Sequence, residues 1–312
     1  MKLKTFIFVI ALAIVAMSVG ILLTKQQQGE QSVQQQKLIQ NFALNKLDTI
    51  TIEKAGGKLV IEKRLEQWLL PQAQNYLVNQ DKLSQFIQQL SNTKIVESKT
   101  KNPKNYERLG LQDITDNNST GTLVTLNTGK TAITFVLGNK SSSSTGQYVR
   151  LINEPQSYLI DQRFDLSNSY QTWLDETILS VSLNQVEKLV WQQSQNNRFE
   201  IAKSDNNDDF SLVGAELSQT LQYDSILTGL VRNTLGLSLQ DVALKTAVLP
   251  KTLNKELQIE LVTKDKTSVL LMFYKNKLGE HWLSAGDSKW FYKISEFNFK
   301  QLAKPLTEYL TK

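Results

Sequence analysis

One order of elements is written twice in this chain, and that repetition restricts the fold more than any single motif. In the first copy Ile50 and Ile52 alternate with Thr49, Thr51 and Glu53, a Gly56-Gly57 turn follows, and Leu59 to Ile61 and Trp68 to Leu70 continue the pattern. Apolar residues at every second position suit strands with one buried face, so this stretch predicts a hairpin or meander. Leu83, Phe86, Ile87 and Leu90 then fall at i, i+3, i+4 and i+7, the period of a helix. Asn79 stands where it caps that helix, and Val78 where it staples onto Leu83. Leu123 to Leu126, Ala132 to Leu137, Tyr148 to Leu151 and Tyr158 to Ile160 predict four strands, and Phe164 to Leu174 a short closing helix.

The second copy runs in the same order. Val186 to Trp191, Arg198 to Ala202 and Phe210 to Leu212 predict strands, and Tyr223, Ile226, Leu227 and Leu230 reproduce the helical stripe at an offset of 140 residues. Leu257, Ile259 and Leu261 alternate with polar residues, Lys264 to Lys266 turns, and Val269 to Tyr274 returns. Trp282 echoes Tyr148 and Tyr292 echoes Tyr158, both at an offset of 134, and Phe297 to Leu310 predicts a last helix. Six elements in one order at nearly constant spacing indicate duplication. The predicted fold is therefore α+β: two tandem repeats, residues 47–177 and 178–312, each an antiparallel sheet with packed helices, preceded by one N-terminal transmembrane helix.

That helix is read from residues 1–25. Thr5 to Thr24 is 20 residues without a charge, after Lys2 and Lys4. As a helix it is ~30 Å long, the hydrocarbon thickness of a bilayer. A cleaved secretory signal would share the lysines and could be cut near Ala16-Met17-Ser18, but Val19 and Ile21 to Leu23 carry the apolar run past that point, which favours a retained anchor. The lysines ahead of the run place the N-terminus in the cytoplasm and the body outside. Residues 26–46 begin QQQGEQSVQQQ, too poor in apolar side chains to offset their ordering entropy, and predict a spacer.

Composition removes several function classes. The net charge of +5 falls to +2 without Lys2, Lys4 and Lys25, too little for a phosphate-backbone footprint, so no nucleic-acid partner is expected. Lys94, Lys99, Lys101, Lys104 and Arg108 cluster without an interleaved aromatic ladder and read as a solvated face. With no cysteine there is no disulfide, thiol nucleophile or thiolate metal site.

The order of Trp68-Leu69-Leu70-Pro71, the capped helix, Tyr106-Glu107-Arg108-Leu109-Gly110-Leu111, the strand pair, Gly146-Gln147-Tyr148-Val149-Arg150 and Ser157-Tyr158-Leu159-Ile160 resembles the bacterial family catalogued as domain of unknown function 4340. The resemblance covers most of Leu47 to Leu310 and is clearest in the first half. Where that family has Tyr-Gly-Leu, this chain inserts residues between Tyr106 and Gly110-Leu111. The resemblance implies one N-terminal span, an extracytoplasmic body, and encoding beside ABC-type transporters of the gliding-motility-associated kind. It brings no catalytic residues.

The residues offer little chemistry of their own. His281, the single histidine, lies between Glu280 and Trp282 at a strand start and reads as a surface or edge residue. Gly129-Lys130-Thr131 ends like a phosphate loop, yet Val124 occupies the first-glycine position and the segment is a hairpin turn. Asp161 and Asp165 suit helix capping better than acid-base work. Asp205, Asn207, Asp209 and Glu216 fit positions 1, 3, 5 and 12 of a calcium loop, but Phe210 replaces the required glycine, which leaves a solvated hairpin loop. No catalytic, cofactor-binding or metal residue is predicted, and no cofactor. The aromatic strand residues Tyr148, Tyr158, Trp282, Trp290 and Tyr292 are either core or a glycan- or peptide-binding face.

These readings predict a single-pass protein of the bacterial inner membrane, tethered through Thr5 to Thr24, whose body lies in the periplasm. It would act as an accessory or interaction subunit with other envelope or transporter proteins, since no residue set in its motifs offers turnover. The alternative is a cell-envelope enzyme such as a carboxylate-based glycan hydrolase, which requires a cleft with two facing carboxylates.

Overall fold

The computed structural model describes residues 36–116, 118–143, 145–194, 197–204, 209–214, 220–223, 225–246 and 253–311. The expected transmembrane segment Thr5 to Thr24 lies outside them, and among the described residues no helix is long and apolar enough to cross a membrane. They form two compact units, one of residues up to 72 and 77–173, the other of 73–76 and 174 onward.

The first unit is built on a nine-stranded sheet, to whose strand Tyr76–Leu77 it contributes Leu77. Its elements in chain order are β1 (Thr49–Lys54), β2 (Gly57–Arg64), β3 (Gln67–Leu70), β4 (Tyr76–Leu77), α1 (Gln80–Asn92), β5 (Ile95–Ser98), α2 (Tyr106–Leu109), β6 (Thr122–Asn127), β7 (Ala132–Lys140), β8 (Gln147–Leu151) and β9 (Ser157–Ile160). The spatial order is β4-β3-β2-β1-β6-β7-β8-β9-β5. The antiparallel register aligns Ile61, Ile50 and Leu126 in one row and Leu59, Ile52, Val124 and Phe135 in the next. All seven are buried. Each such side chain contributes about 1.5–3 kcal/mol by leaving water, which is why the period-2 pattern dictates the sheet.

The second unit is an eight-stranded sheet of β10 (Val186–Ser194), β11 (Asn197–Lys203), β12 (Phe210–Leu212), β13 (Asp241–Leu244), β14 (Asn254–Thr263), β15 (Ser268–Lys275), β16 (His281–Ala285) and β17 (Trp290–Ile294), with helices α3 (Ile226–Leu235) and α4 (Glu296–Leu302). Its order is β12-β11-β10-β14-β15-β16-β17-β13. That is the order of the first sheet without β4: three strands, a fourth beyond the first, three meander strands, and the strand after the helix at the far edge. Here the rows are Ile201, Leu189 and Leu261, then Phe199, Trp191, Ile259 and Leu271.

The α+β expectation is corrected by these elements: the described chain is mainly antiparallel sheet, with four short helices among the described residues. The helical period is sustained only in α1 and α3. Asn79 caps α1 by accepting from the Lys82 N–H at 2.9 Å, and Leu83, Phe86 and Leu90 are buried. In the second unit the helix starts later than the stripe suggested, so Tyr223 stands outside it and is 61% exposed, while Leu227, Leu230 and Val231 face inward. Phe164 to Leu174 forms only a 3-10 turn at Tyr170–Trp173, and Phe297 to Leu310 divides into α4 and a 3-10 turn at Leu306–Tyr309. Pro305 separates those two, because its ring and missing N–H do not continue a helix.

The structured body also begins within the predicted spacer. Leu38 and Ile39 are buried, Leu38 N–H donates to Thr93 O at 2.9 Å, and Ile95 N–H donates to Gln36 O at 2.9 Å. Residues 36–38 therefore lie against the outer edge of β5.

Candidate functional site

Tyr106, Leu109, Leu111, Tyr148 and Arg150 of the motif stretches meet on the face of the first sheet that carries Val136. Tyr106 to Leu109 makes one helical turn, closed by Gly110 at φ 67°. The N–H groups of Gly110 and Leu111 donate to Glu107 O at 3.1 Å and Tyr106 O at 2.9 Å, a Schellman arrangement that needs a residue free of Cβ strain at the left-handed position. Tyr106, Leu111 and Val136 pack together with Leu109, Leu123 and Tyr148 at the margin. Gly138 lies beneath this turn, where a Cβ would come within 2.1 Å of Leu109 O.

Arg150 fastens the turn to β8. Its Nε and Nη2 donate to Leu111 O, each at 3.2 Å, and Nη2 donates to Asp113 Oδ1 at 2.7 Å. The guanidinium carbon sits 4.7 Å from the centroid of the Tyr106 ring. The Arg150 side chain is 8% exposed and that of Asp113 is 68% exposed, so the burial cost falls on Arg150 and is offset by the carbonyl, the ring and the carboxylate together. Sequence reasoning grouped these residues as packing signatures and missed the clamp, since Leu111 is 39 positions from Arg150 and only the fold joins them.

Two hollows flank the clamp. One, of 450 Å³, is lined by Tyr106, Arg150 and the carboxylates of Asp113, Asp116 and Glu154. Asp113 is engaged by Arg150, and Glu154 accepts from the Tyr158 hydroxyl at 3.3 Å. Burial first, and then that carboxylate, push the Tyr158 phenol above its ordinary pKa. The other hollow is a basin of 570 Å³ lined by Lys99, Arg108, Lys140, Glu97, Asn105 and Tyr148 among others. Of the predicted basic cluster, only Lys99 and Arg108 line it. Lys140, from β7, joins them, which the sequence spacing gave no means of seeing.

The five aromatic residues do not form one face. Tyr148 pairs with Leu159 and Tyr158 with Val149, so the two tyrosines project from opposite sides of the sheet. Tyr148 is half-buried with the Lys99 ammonium 6.0 Å from its ring. In the second unit Trp282, Trp290 and Tyr292 are all buried. Trp282 packs with Phe291, while Trp290 and Tyr292 meet the Tyr76 ring at 5.0 and 6.4 Å. These three build core.

The remaining singled-out residues have structural occupations. Asp161 does not cap a helix; its Oδ1 accepts from the Lys94 N–H at 2.8 Å and so joins β9 to β5. Asp165 pairs with Lys140 at 3.4 Å on the surface. Gly129, at φ 75°, turns the β6–β7 hairpin, with Asn127 Oδ1 accepting its N–H at 2.7 Å. Of the calcium-loop template, residues 205–208 and 216 lie outside the described residues, and Phe210 is a buried strand residue. Among the described residues no group of three metal-ligating side chains occurs.

His281 is the clearest departure from a surface reading. It is 5% exposed on β16, between β15 and β17, with its ring stacked 4.1 Å from Phe299. Nδ1 has no hydrogen-bond partner. Desolvation lowers its pKa, with Glu256 and Glu296 opposing and Lys275 and Lys300 assisting. The unfolded state, titrating near 6.5, then binds more protons than the folded one. Stability attributable to His281 is complete above that value and is lost as pH falls below it. Urea unfolding at pH 7.5 and 5.5 should show a decline, at most about 1.4 kcal/mol per pH unit from one group, that His281→Phe removes. Equal declines in both proteins would show that His281 is hydrated in solution.

The geometry defines a class: a tandem antiparallel-sheet protein in which part of the motif residues forms a clamped surface turn. The family profile described as Domain of unknown function (DUF4340) matches residues 68–256, and the chain belongs to that family. The match runs from β3 into β14 and so contains the capped helix, the Tyr106–Leu111 turn and Arg150. A comparison with curated proteins finds no match.

Proposed function

We propose that this is a membrane-tethered extracytoplasmic protein that works by interaction, as an accessory component beside an ABC-type transport system. The carrying observation is the attachment of residues 36–38 to the edge of β5, where the chain enters the first unit after the apolar run and the Gln-rich stretch. Only ten residues, 26–35, separate Lys25 from Gln36, a reach of at most ~35 Å even fully extended. A body held that close to a bilayer suits a partner already in the membrane. The transporter association is supported by what members of the resembling family imply, and the absence of turnover by the structural occupations of His281, Asp161 and Asp165.

The test is affinity purification of the full chain from detergent-solubilised membranes, followed by mass spectrometry. Transporter permease or ATPase subunits should be enriched over a control bait carrying the same apolar segment. Equal recovery with both baits would remove the proposed partner, and release of the chain by osmotic shock would remove the tether.

A further inference from the structure

The basin beside Tyr148 is built on backbone that cannot easily shift. Lys99 N–H donates to Ser157 O at 2.8 Å and Thr100 N–H to Ser157 Oγ at 3.0 Å, and Ser157 is fully buried. Across the basin, Asn139 Nδ2 donates to Arg108 O at 3.3 Å, tying the α2 turn to β7. Three cations are thus presented by three different elements whose main chains are fixed.

Their charges are incompletely spent. Glu97 is the one carboxylate of the lining and pairs with Lys99 at 2.6 Å. Lys140 reaches Asp165 at 3.4 Å, but Asp165 is 94% exposed, and a pair of that kind is worth only about 0–1 kcal/mol. Arg108 has no acidic partner among the described residues. A planar guanidinium in a lining that also carries two lysines suits the oxygens of a phosphate, which accept bidentate bonds from arginine. The half-buried Tyr148 ring adds apolar surface to the lining beside the Lys99 ammonium, and 570 Å³ admits a group of sugar or glycerol size.

We infer that this basin binds a phosphate-bearing ligand, with Arg108 as the principal contact and Lys99 and Lys140 completing the charge. The phosphate could come from a soluble phosphorylated sugar or from a lipid headgroup. The lipid source rests on the tether proposed above, since Lys99 is four residues, about 13 Å, from the Ile95 that holds Gln36. The phosphate chemistry itself does not depend on the tether.

The full chain in a neutral detergent would be titrated calorimetrically with glucose 6-phosphate and with glucose, and separately with micelles doped with short-chain phosphatidylglycerol or with the phosphate-free diacylglycerol of the same chain length. Binding of glucose 6-phosphate without glucose assigns a soluble ligand. Binding of phosphatidylglycerol without diacylglycerol assigns a headgroup, and binding of glucose 6-phosphate and phosphatidylglycerol alike assigns the phosphate alone. In each case Arg108→Gln, an exposed site whose change should leave melting unaltered, should weaken binding at least ten-fold, and Lys140→Gln by less. Indifference to the phosphate in both pairs of probes, or Arg108→Gln binding as the parent does, would overturn the assignment.

Discussion

Replacing Phe86 with alanine should destabilise the first unit by about 3–5 kcal/mol. Phe86 lies on the buried stripe of α1 between Leu83 and Leu90, with its ring edge-on to Phe164 at 5.9 Å and to Trp173 at 6.2 Å. The cavity cannot close cheaply. Asn79 fixes where the helix begins, and the Lys82 ammonium donates to Thr172 O while lying 5.2 Å from the Trp173 ring, so both walls are held independently of Phe86. Hydrogen exchange read by mass spectrometry resolves the effect by segment. Amides of α1, β1 and β6 should lose protection by two to three orders of magnitude, and those of β14 to β16 should keep theirs. A loss below about 1 kcal/mol would remove α1 from the core, and matching losses in β14 to β16 would mean that the two units unfold together.

The parts of this fold that were legible are those in which neighbours in sequence are neighbours in space. The Asn79 cap, the β1–β2 and β6–β7 hairpins and the paired meanders follow from local spacing, because a turn residue and a period-2 run suffice to specify them. β5 and β13 were not foreseen. Ile95–Ser98 and Asp241–Leu244 are four residues each, lie at sheet edges, and reach their places only by pairing with β9 and β17, more than 45 residues further along the chain. The helical content was overestimated for a related reason: apolar residues in Phe164 to Leu174 are drawn inward by Phe86 and the sheet without a continuous helical ladder.

The candidate site was less legible than the fold. Tyr106, Gly110 and Arg150 were visible as motif residues, but nothing in the sequence joined the Arg150 guanidinium to a carbonyl on the far side of the turn. A useful signal was present in hindsight of the pairing alone: an arginine in phase with apolar strand residues must find buried acceptors, because an unpaired charge there is too costly. His281 shows the converse. Flanking Glu280 suggested water, yet Glu280 is held by Lys293 and Asn276, which lower its pKa, and His281 points to the other side of the strand against Phe299.

Gly138→Ala should have the other large effect, and it joins stability to the basin. The added Cβ would lie 2.1 Å from Leu109 O, 2.8 Å from Leu111 Cδ2 and 3.1 Å from Gly110 O, two of them main-chain atoms that no rotamer change can move. The Tyr106–Leu111 turn has to lift from β7. Overpacking of this kind costs about 1–3 kcal/mol and occasionally more. Lifting the turn also withdraws Leu111 O from the buried Arg150, adding about 1–3 kcal/mol for the donors left without it. The expected loss is about 3 kcal/mol or more, against a change within about 0.5 kcal/mol for Gly56→Ala, where nothing lies within 4 Å of the new atom. Because Arg108 rides on the same turn, the folded fraction of Gly138→Ala should also lose affinity for glucose 6-phosphate. Melting curves that coincide for the two glycine variants would show that the turn is loosely seated, and an unstable Gly138→Ala that binds the phosphate normally would separate the basin from the clamp.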